Sequence, residues 1–339
     1  MNDFFRDKTV LITGGTGFLG RAFVKHLLEY GPKAVRVFSN DEFGHYQTQK
    51  QFQGKGMRYF LGDVRDFERL KTACAGADIV IHAAALKRID LIEYNVMDAV
   101  KTNIDGTMNV VRACLEQQVP KAVFVSTDKA CSPVNSYGAT KMLGERIFIE
   151  SNYNKGKSKT ALIAVRYGNV VNSTGSVAPF FAEKIRNKED IPITDERMTR
   201  FIISEERAVR EVMDAIKYGV GGEIFVPKLV SHKVTDLALV LNERLGGKSR
   251  LKTVGVRPGE KIHECMINES EAGRAFEFQD HYVIVPEICG KYELEYPYLR
   301  GKKTAGFEKY SSDCCIVGKK ELEKILEEAG IFKHPELLE

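Results

Sequence analysis

The chain has 339 residues, and its 50 Lys and Arg against 46 Asp and Glu leave a formal net charge of +4. No basic tail or block suits the wrapping of nucleic acid, and no run of 18 apolar residues would span a bilayer. The opening MNDFFRDKTV lacks a basic start followed by an apolar stretch, so a cytoplasmic protein without a secretory signal is expected.

Six short runs rich in Val and Ile follow one another: Thr9–Thr13, Ala34–Phe38, Met57–Gly62, Ala77–Ala84, Lys121–Ser126 and Thr160–Tyr167. Helix-like sequence trails each one. The alternation predicts βαβ units in an α/β fold with a doubly wound parallel sheet, whose ligands lie at the carboxyl ends of the strands. After about residue 170 the elements shorten, punctuated by Pro179, Pro192, Pro227 and Arg257-Pro258-Gly259. A smaller second region closing over the cleft is expected. Gly221–Lys228 still reads as a buried strand, so some segments should return to the first region. Lys319–Ala329 predicts a helix with Leu322, Ile325 and Leu326 on its buried face. The cysteines Cys74, Cys114, Cys131, Cys265, Cys289, Cys314 and Cys315 form no C-x-x-C and match no zinc spacing. Reduced thiols in packing roles and no metal site are expected.

The first strand runs straight into Gly14-Gly15-Thr16-Gly17-Phe18-Leu19-Gly20, a G-x-x-G-x-x-G series opening a helix. Gly14 permits a tight turn, Gly17 close approach of a pyrophosphate, and Gly20 close helix packing. The helix N-terminus adds amide donors. At the end of the second strand a carboxylate would hold a ribose 2′-hydroxyl and repel a 2′-phosphate. Ser39 stands there, followed by Asn40 and Asp41, which leans toward NADP with NAD as the alternative. Tyr137 and Lys141 are spaced as Tyr-x-x-x-Lys, one helical turn apart on one face. An ammonium there lowers the phenol's pKa, so that a phenolate can accept a sugar hydroxyl's proton. The pair follows Ser126-Thr127-Asp128 at the end of the fifth strand.

These motifs, spread over residues 8–315, resemble the extended short-chain dehydrogenase/reductase family, and within it the inverting UDP-N-acetylglucosamine 4,6-dehydratases of the pseudaminic acid type. The resemblance implies an NAD(P)-binding Rossmann domain over residues 1–170. Residues 171–339 would mainly bind the nucleotide sugar, with some segments returning to the first domain. It places Asp63 and Val64 at the adenine, and Ala83 of the His82–Ala85 segment along the cofactor. Thr127 would hold the substrate's 4-oxygen. Asp128-Lys129 stands where C5-retaining relatives carry Asp-Glu, and a simple 4-epimerase needs neither residue. Lys87 and Asn169 would contact the sugar, and Arg200, Arg257 and Glu260 the UDP. Relatives of this type assemble as homo-oligomers. Two positions depart from the family pattern, Asn40 and Thr174, where relatives carry Arg.

The implied reaction is loss of water from UDP-N-acetylglucosamine with a recycled nicotinamide cofactor, giving UDP-2-acetamido-2,6-dideoxy-β-L-arabino-hex-4-ulose for deoxyamino-sugar or nonulosonic acid glycans. Tyr137, helped by Lys141, takes the C4 hydroxyl proton. Lys129, as a neutral amine depressed by burial and by Lys141, takes the C5 proton, and Asp128 assists departure of the C6 hydroxyl. The alternatives are a UDP-hexose 4-epimerase and a non-catalytic NAD(P)-sensing regulator. Capsule-type dehydratases carry Met in place of Tyr137.

Overall fold

The computed structural model describes residues 4–54, 56–171, 173, 176–287 and 294–333. Thr174 and Cys289 lie outside the described residues. Each of the six apolar runs forms a strand: β1 (Thr9–Thr13), β2 (Ala34–Ser39), β3 (Met57–Leu61), β4 (Ile79–His82), β5 (Lys121–Val125) and β6 (Ala161–Val165). They pair in parallel, and β7 (Ile224–Pro227) continues the parallel set beside β6. Two antiparallel strands, β8 (Ala275–Phe278) and β9 (His281–Ile284), close that edge. The order across the nine-stranded sheet is β8-β9-β7-β6-β5-β4-β1-β2-β3. Strand order reverses between β1 and β4, which opens a crevice at their carboxyl ends. This is a Rossmann-type sheet.

Successive strand residues point to opposite faces. Val10 and Ile12 therefore enter one apolar cluster and Leu11 the other. On one face pack the helices α1 (Phe18–Leu28) and α7 (Glu205–Tyr218). On the other pack α3 (Phe67–Cys74), α4 (Gly106–Glu116) and α5 (Ser136–Asn154). Helix α2 (Glu42–Gln51) lies against β2 and β3. A third cluster, built on Phe181, Ile185, Ile193, Leu237, Leu241, Leu322 and Leu326, belongs to the second region. It joins α6 (Val177–Arg186), α8 (Val234–Arg244) and α9 (Lys319–Glu328). The chain returns to the main sheet twice from beyond residue 170, through α7 with β7 and through β8 with β9. Among the described residues no helix is long and apolar enough to cross a membrane.

One buried ion network joins these parts. Arg166, just past β6, is 2% exposed. Its Nε and Nη2 donate to the two Glu145 oxygens of α5 at 3.0 and 2.6 Å. Nη1 and Nη2 also reach the Glu271 carboxylate at 2.9 and 3.0 Å, and Nη1 the Met266 carbonyl at 2.6 Å. Burial works against the Glu271 carboxylate, but Arg166 outweighs it and holds the pKa below the ordinary value. Removing one member of such a set leaves uncompensated buried charge. Arg166→Met is therefore expected to destabilise the protein by about 3–5 kcal/mol. Guanidinium unfolding checks this, and a loss below about 1 kcal/mol would show that the network carries little of the fold.

Candidate active site

At the reversal point the chain leaves β1 through Gly14, whose φ of +67° turns it sharply and whose N–H donates to the Phe38 carbonyl at 2.8 Å. A Cβ at Gly14 would stand 2.8 Å from the Ala84 nitrogen, so this turn and the segment after β4 approach backbone to backbone. A Cβ at Gly20 would overlap the Gly14 carbonyl oxygen and the Gly15 backbone, which is why α1 can start directly on the turn. Gly17 is the N-cap of α1 with no side-chain cap, leaving the helix's first amides to a ligand. Beside this bed the Thr16 hydroxyl donates to Ser39 Oγ at 2.8 Å. Ser39 Oγ also accepts from the Asp41 amide, and Asp41 caps α2 through the Gly44 amide. Asn40 donates to Asp63 at 2.9 Å, and Arg65 holds the same carboxylate bidentately at 2.9 and 2.7 Å. A bare helix N-terminus, two glycines that exclude any side chain, and a polar rim at β2 and β3 fit a dinucleotide.

One cleft of about 1850 Å³ continues from this bed to the second region. Its walls carry Gly14, Thr16, Gly17, Phe18, Leu19, Gly20, Ser39, Asn40, Asp41, Asp63, Val64 and Ala83. Thr127, Lys129, Tyr137 and Lys141 line the same cleft, as do Lys87, Asn169, Arg200, Arg257 and Glu260. Asp128 is behind the wall, 1% exposed. Thus the expected residues, scattered over 247 sequence positions from Gly14 to Glu260, share one cavity and its immediate lining.

The lining at Thr127, Lys129, Tyr137 and Lys141 is built from the end of β5 and the start of α5. Thr127 caps a 3₁₀ turn, Asp128–Ala130, which presents the acid–base pair. A Cβ at Gly138 would overlap the Lys129 carbonyl oxygen, so Gly138 lets α5 rest on that turn. Asn135 caps α5 through the Gly138 amide at 2.7 Å and donates to the Gly259 carbonyl at 2.7 Å, joining the helix to the Arg257-Pro258-Gly259 turn. Asp128 Oδ1 accepts from the Thr127 hydroxyl at 2.9 Å and from Lys129 Nζ at 3.0 Å. Lys129 Nζ lies 3.3 Å from Asn169 Oδ1 and 3.5 Å from Glu264 Oε1.

The electrostatics correct two expectations. Burial disfavours the Lys129 ammonium, but Asp128 and Glu264 outweigh burial and raise its pKa above the ordinary value. At rest Lys129 is a cation, not a neutral amine, because two carboxylates face it. Lys141 takes the opposite course: burial pushes it down to about 7, with Glu145 opposing. Its Nζ donates to the Val125 carbonyl at 2.6 Å and lies 3.9 Å from the Phe124 ring centre. Tyr137 is pushed up to about 12, first by burial, and the cation that lowers it is Lys129, with a hydrogen bond to Thr127. The phenol's cationic neighbour is thus Lys129, whereas the Tyr-x-x-x-Lys spacing pointed to Lys141.

Three contributors escaped the sequence reading. Glu264 faces Lys129 from a distant segment. Asn103, buried in a π-helical turn (Val100–Asp105), pairs with Leu86 through both backbone groups and donates to Thr140 at 3.0 Å. It pins the segment after β4 to α5, and no local pattern marks it, since its own turn, VKTNID, is mostly polar. Arg65 is the third, in the Gly62–Asp66 motif but given no role there. His82 is a core residue: burial pushes it down to about 3, and it bonds Thr13 and Thr107. Cys131 Sγ packs 3.5 Å from Cys265 Sγ. Among the described residues no cluster of His, Cys, Asp and Glu could hold a metal ion.

A family model named Polysaccharide biosynthesis protein matches residues 10–286. The UDP-N-acetylglucosamine 4,6-dehydratase (inverting) of Campylobacter jejuni is 44% identical over 316 residues, 91% of this chain and 93% of the relative. A UDP-glucose 4-epimerase of Rickettsia felis is 36% identical, over 91% of this chain and 92% of that one. The X-ray structure of Pen from Bacillus thuringiensis superposes with a TM-score of 0.89 at 37% identity, covering 96% of this chain and 98% of the other.

The glycine turn supplies a direct test of the dinucleotide bed. Gly20→Ala must force α1 away from Gly14, with an expected loss of about 1–3 kcal/mol in stability. Nicotinamide dinucleotide retained through purification, read by absorbance after acid release, should fall to near zero. A variant that retains a full complement would mean that α1 does not need its close approach.

Proposed function

The chain belongs to the polysaccharide biosynthesis protein family, and we propose that it is a UDP-N-acetylglucosamine 4,6-dehydratase that inverts C5. The observation that carries this reading is the Asp128–Lys129 pair, bonded at 3.0 Å beside Tyr137 at a cleft of about 1850 Å³. Gly14 to Gly20 would hold the pyrophosphate of the dinucleotide, and Asp63 and Val64 would flank the adenine. Arg200, Arg257 and Glu260 would hold UDP, since guanidinium groups bind diphosphate bidentately. Lys87 and Asn169 would border the sugar. The bound nicotinamide supplies the acceptor and donor of hydride for oxidation at C4 and reduction at C6.

The chain's own groups move the protons. Tyr137 takes the C4 hydroxyl proton as its phenolate, the form that the Lys129 ammonium favours against burial, with Thr127 holding the same substrate oxygen. Lys129 and Asp128 rest as ammonium and carboxylate. One proton passed along their hydrogen bond gives the amine and carboxylic acid that the chemistry requires. The amine takes the C5 proton, and Asp128 gives its proton to the departing C6 hydroxyl, which leaves as water; after reduction at C6 a proton derived from solvent reaches C5 from the opposite face, which inverts that carbon.

The UDP-glucose 4-epimerase relative supports a second reading, since an epimerase would use Tyr137 and Lys141 alone. Proton NMR with UDP-N-acetylglucosamine in deuterated water separates the two. Dehydration is expected to give a new upfield C6 methyl signal, with deuterium at C5 and an inverted ring. Appearance of UDP-N-acetylgalactosamine without a methyl signal would establish the epimerase and leave Lys129 without a role.

For the cofactor we assign NADP over NAD. Ser39 stands in place of an acid, and Arg65, half-exposed on the cleft wall, supplies the cation that position 40 lacks. Hydrogen bonds to charged groups contribute about 1.5–3 kcal/mol, so Arg65→Ala should weaken NADP about 10- to 100-fold and NAD by much less. Titration of both dinucleotides checks this, and equal losses would remove Arg65 from 2′-phosphate recognition.

A further inference from the structure

Glu264 is a buried carboxylate with an unusual set of neighbours. Its side chain is 4% exposed yet lines the cleft. Its backbone is fixed on both sides by Ser312: the amide donates to Ser312 Oγ at 2.9 Å, and the carbonyl accepts from the Ser312 amide at 2.8 Å. Ser312 Oγ in turn bonds Thr199 at 2.6 Å. So held, Oε1 lies 3.5 Å from Lys129 Nζ and 3.8 Å from Arg200 Nε, and Oε2 lies 3.8 Å from Lys261 Nζ. Oε2 has no hydrogen-bond partner among the described residues. A carboxylate buried with so few hydrogen bonds is maintained by the cations around it, and Lys129 is the nearest.

Lys129 meets charged and titratable groups from every element packed on it. Asp128 comes from its own turn, Tyr137 from α5, Arg200 from the strand Thr199–Ile203, and Glu264 from the segment before the strand Cys265–Ile267. Asn169 adds a neutral oxygen, and Lys261 shares Glu264. Asp128 is adjacent in sequence and moves with the lysine. Glu264 does not; it belongs to the segment that also carries Arg257 and Glu260.

We propose that Glu264 is a positioning residue for Lys129, fixing the place and the protonation of the catalytic ammonium from the substrate-binding segment of the chain. The proposal deepens, and rests on, the reading of Lys129 as the proton carrier of the dehydration. Glu264 makes the ammonium the resting form and opposes premature transfer of its proton to Asp128. Loss of the Glu264 charge therefore moves the titration of Lys129 toward lower pH, whichever direction the lysine's proton travels in turnover.

The test reads Lys129 itself, so it stands even if the reaction is another one. The full-length protein is pulsed with acetic anhydride at a series of pH values. Acetylation at Lys129 is measured by mass spectrometry against the exposed Lys157. In the parent, Lys129 stays nearly unreactive at pH 9. In E264Q its relative labelling at pH 9 rises about tenfold or more, since each pKa unit is tenfold in the amine fraction. E264D, which withdraws the carboxylate by one methylene, gives an intermediate rise and serves if E264Q does not fold. Turnover then adds a second readout: in the variants the limb of the kcat–pH profile governed by Lys129 moves to lower pH while KM changes little. Labelling in both folded variants equal to the parent overturns the proposal. Shifted labelling with no dehydration in the parent leaves the proposal standing and removes the dehydratase reading.

Discussion

The arrangement depends first on the Arg166 guanidinium. It leaves the end of β6, takes Glu145 from α5, and takes Glu271 and the Met266 carbonyl from the segment before β8. Three segments that share no neighbouring sequence are thereby held at one point beneath the cleft. Ser126, immediately before the catalytic turn, donates to the same Glu145 at 2.5 Å. Asp128 is thus two residues from a side chain tied to this buried ionic anchor. Guanidinium suits the task because its planar fork meets two carboxylates at once and stays charged.

Two lysines in one cleft are shifted in opposite directions, and their partners explain it. Both pay for leaving water. Lys141 has a carbonyl, an aromatic face and one more distant carboxylate, so burial wins and its pKa falls to about 7. Lys129 has carboxylates at 3.0 and 3.5 Å. A unit charge pair at such distances is worth roughly 5 kcal/mol at an effective dielectric constant near 20, enough to reverse the burial effect. Environments that push like groups apart are how one site keeps a proton donor and a proton acceptor at the same pH. Here the separation places a firmly protonated amine next to the phenol.

What was legible in the sequence was local. The apolar runs from Thr9 to Tyr167 carried their strand identity because each is short and bounded and, except for the aromatic Met57–Gly62, rich in β-branched residues. The Gly14–Gly20 turn and the Tyr137–Lys141 spacing state their geometry within one loop or one helical turn. The closing helix was read as Lys319–Ala329 and ends one residue earlier, at Glu328. What was not legible is pairwise and long-range. Glu264 is 135 positions from Lys129 by sequence number, and Glu271 is 105 positions from Arg166. No periodicity marks which of 46 acidic residues will face which base. The charge of Lys129 was misjudged for the same cause, since Lys141 was in view and Glu264 was not. The topology of β7, β8 and β9 was visible only in part: Gly221–Lys228 announced a strand, while Ala275–Ile284 alternates too briefly to declare its antiparallel place at the edge.

The polar atoms left without partners bear on which chemistry the fold serves. Buried polar groups are nearly always bonded, and an exception needs a reason. Asp128 Oδ2, Glu264 Oε2 and Glu260 Oε2 are all buried without a hydrogen-bond partner among the described residues. All three belong to the turn after β5 or to the Arg257–Glu264 segment facing it. A protein that only sensed a dinucleotide would gain stability by neutralising or losing these carboxylates, since nothing at Gly14 to Gly20 depends on them. A 4-epimerase would gain by losing Asp128 and Glu264, because Tyr137 suffices for proton transfer at C4. Partnerless carboxylate oxygens of Asp128 and Glu264, the two acids that face Lys129, weaken the folded state. Such a set is accounted for when protons must be taken from one carbon and given to the oxygen on the next, which is the demand that loss of water across C5 and C6 makes.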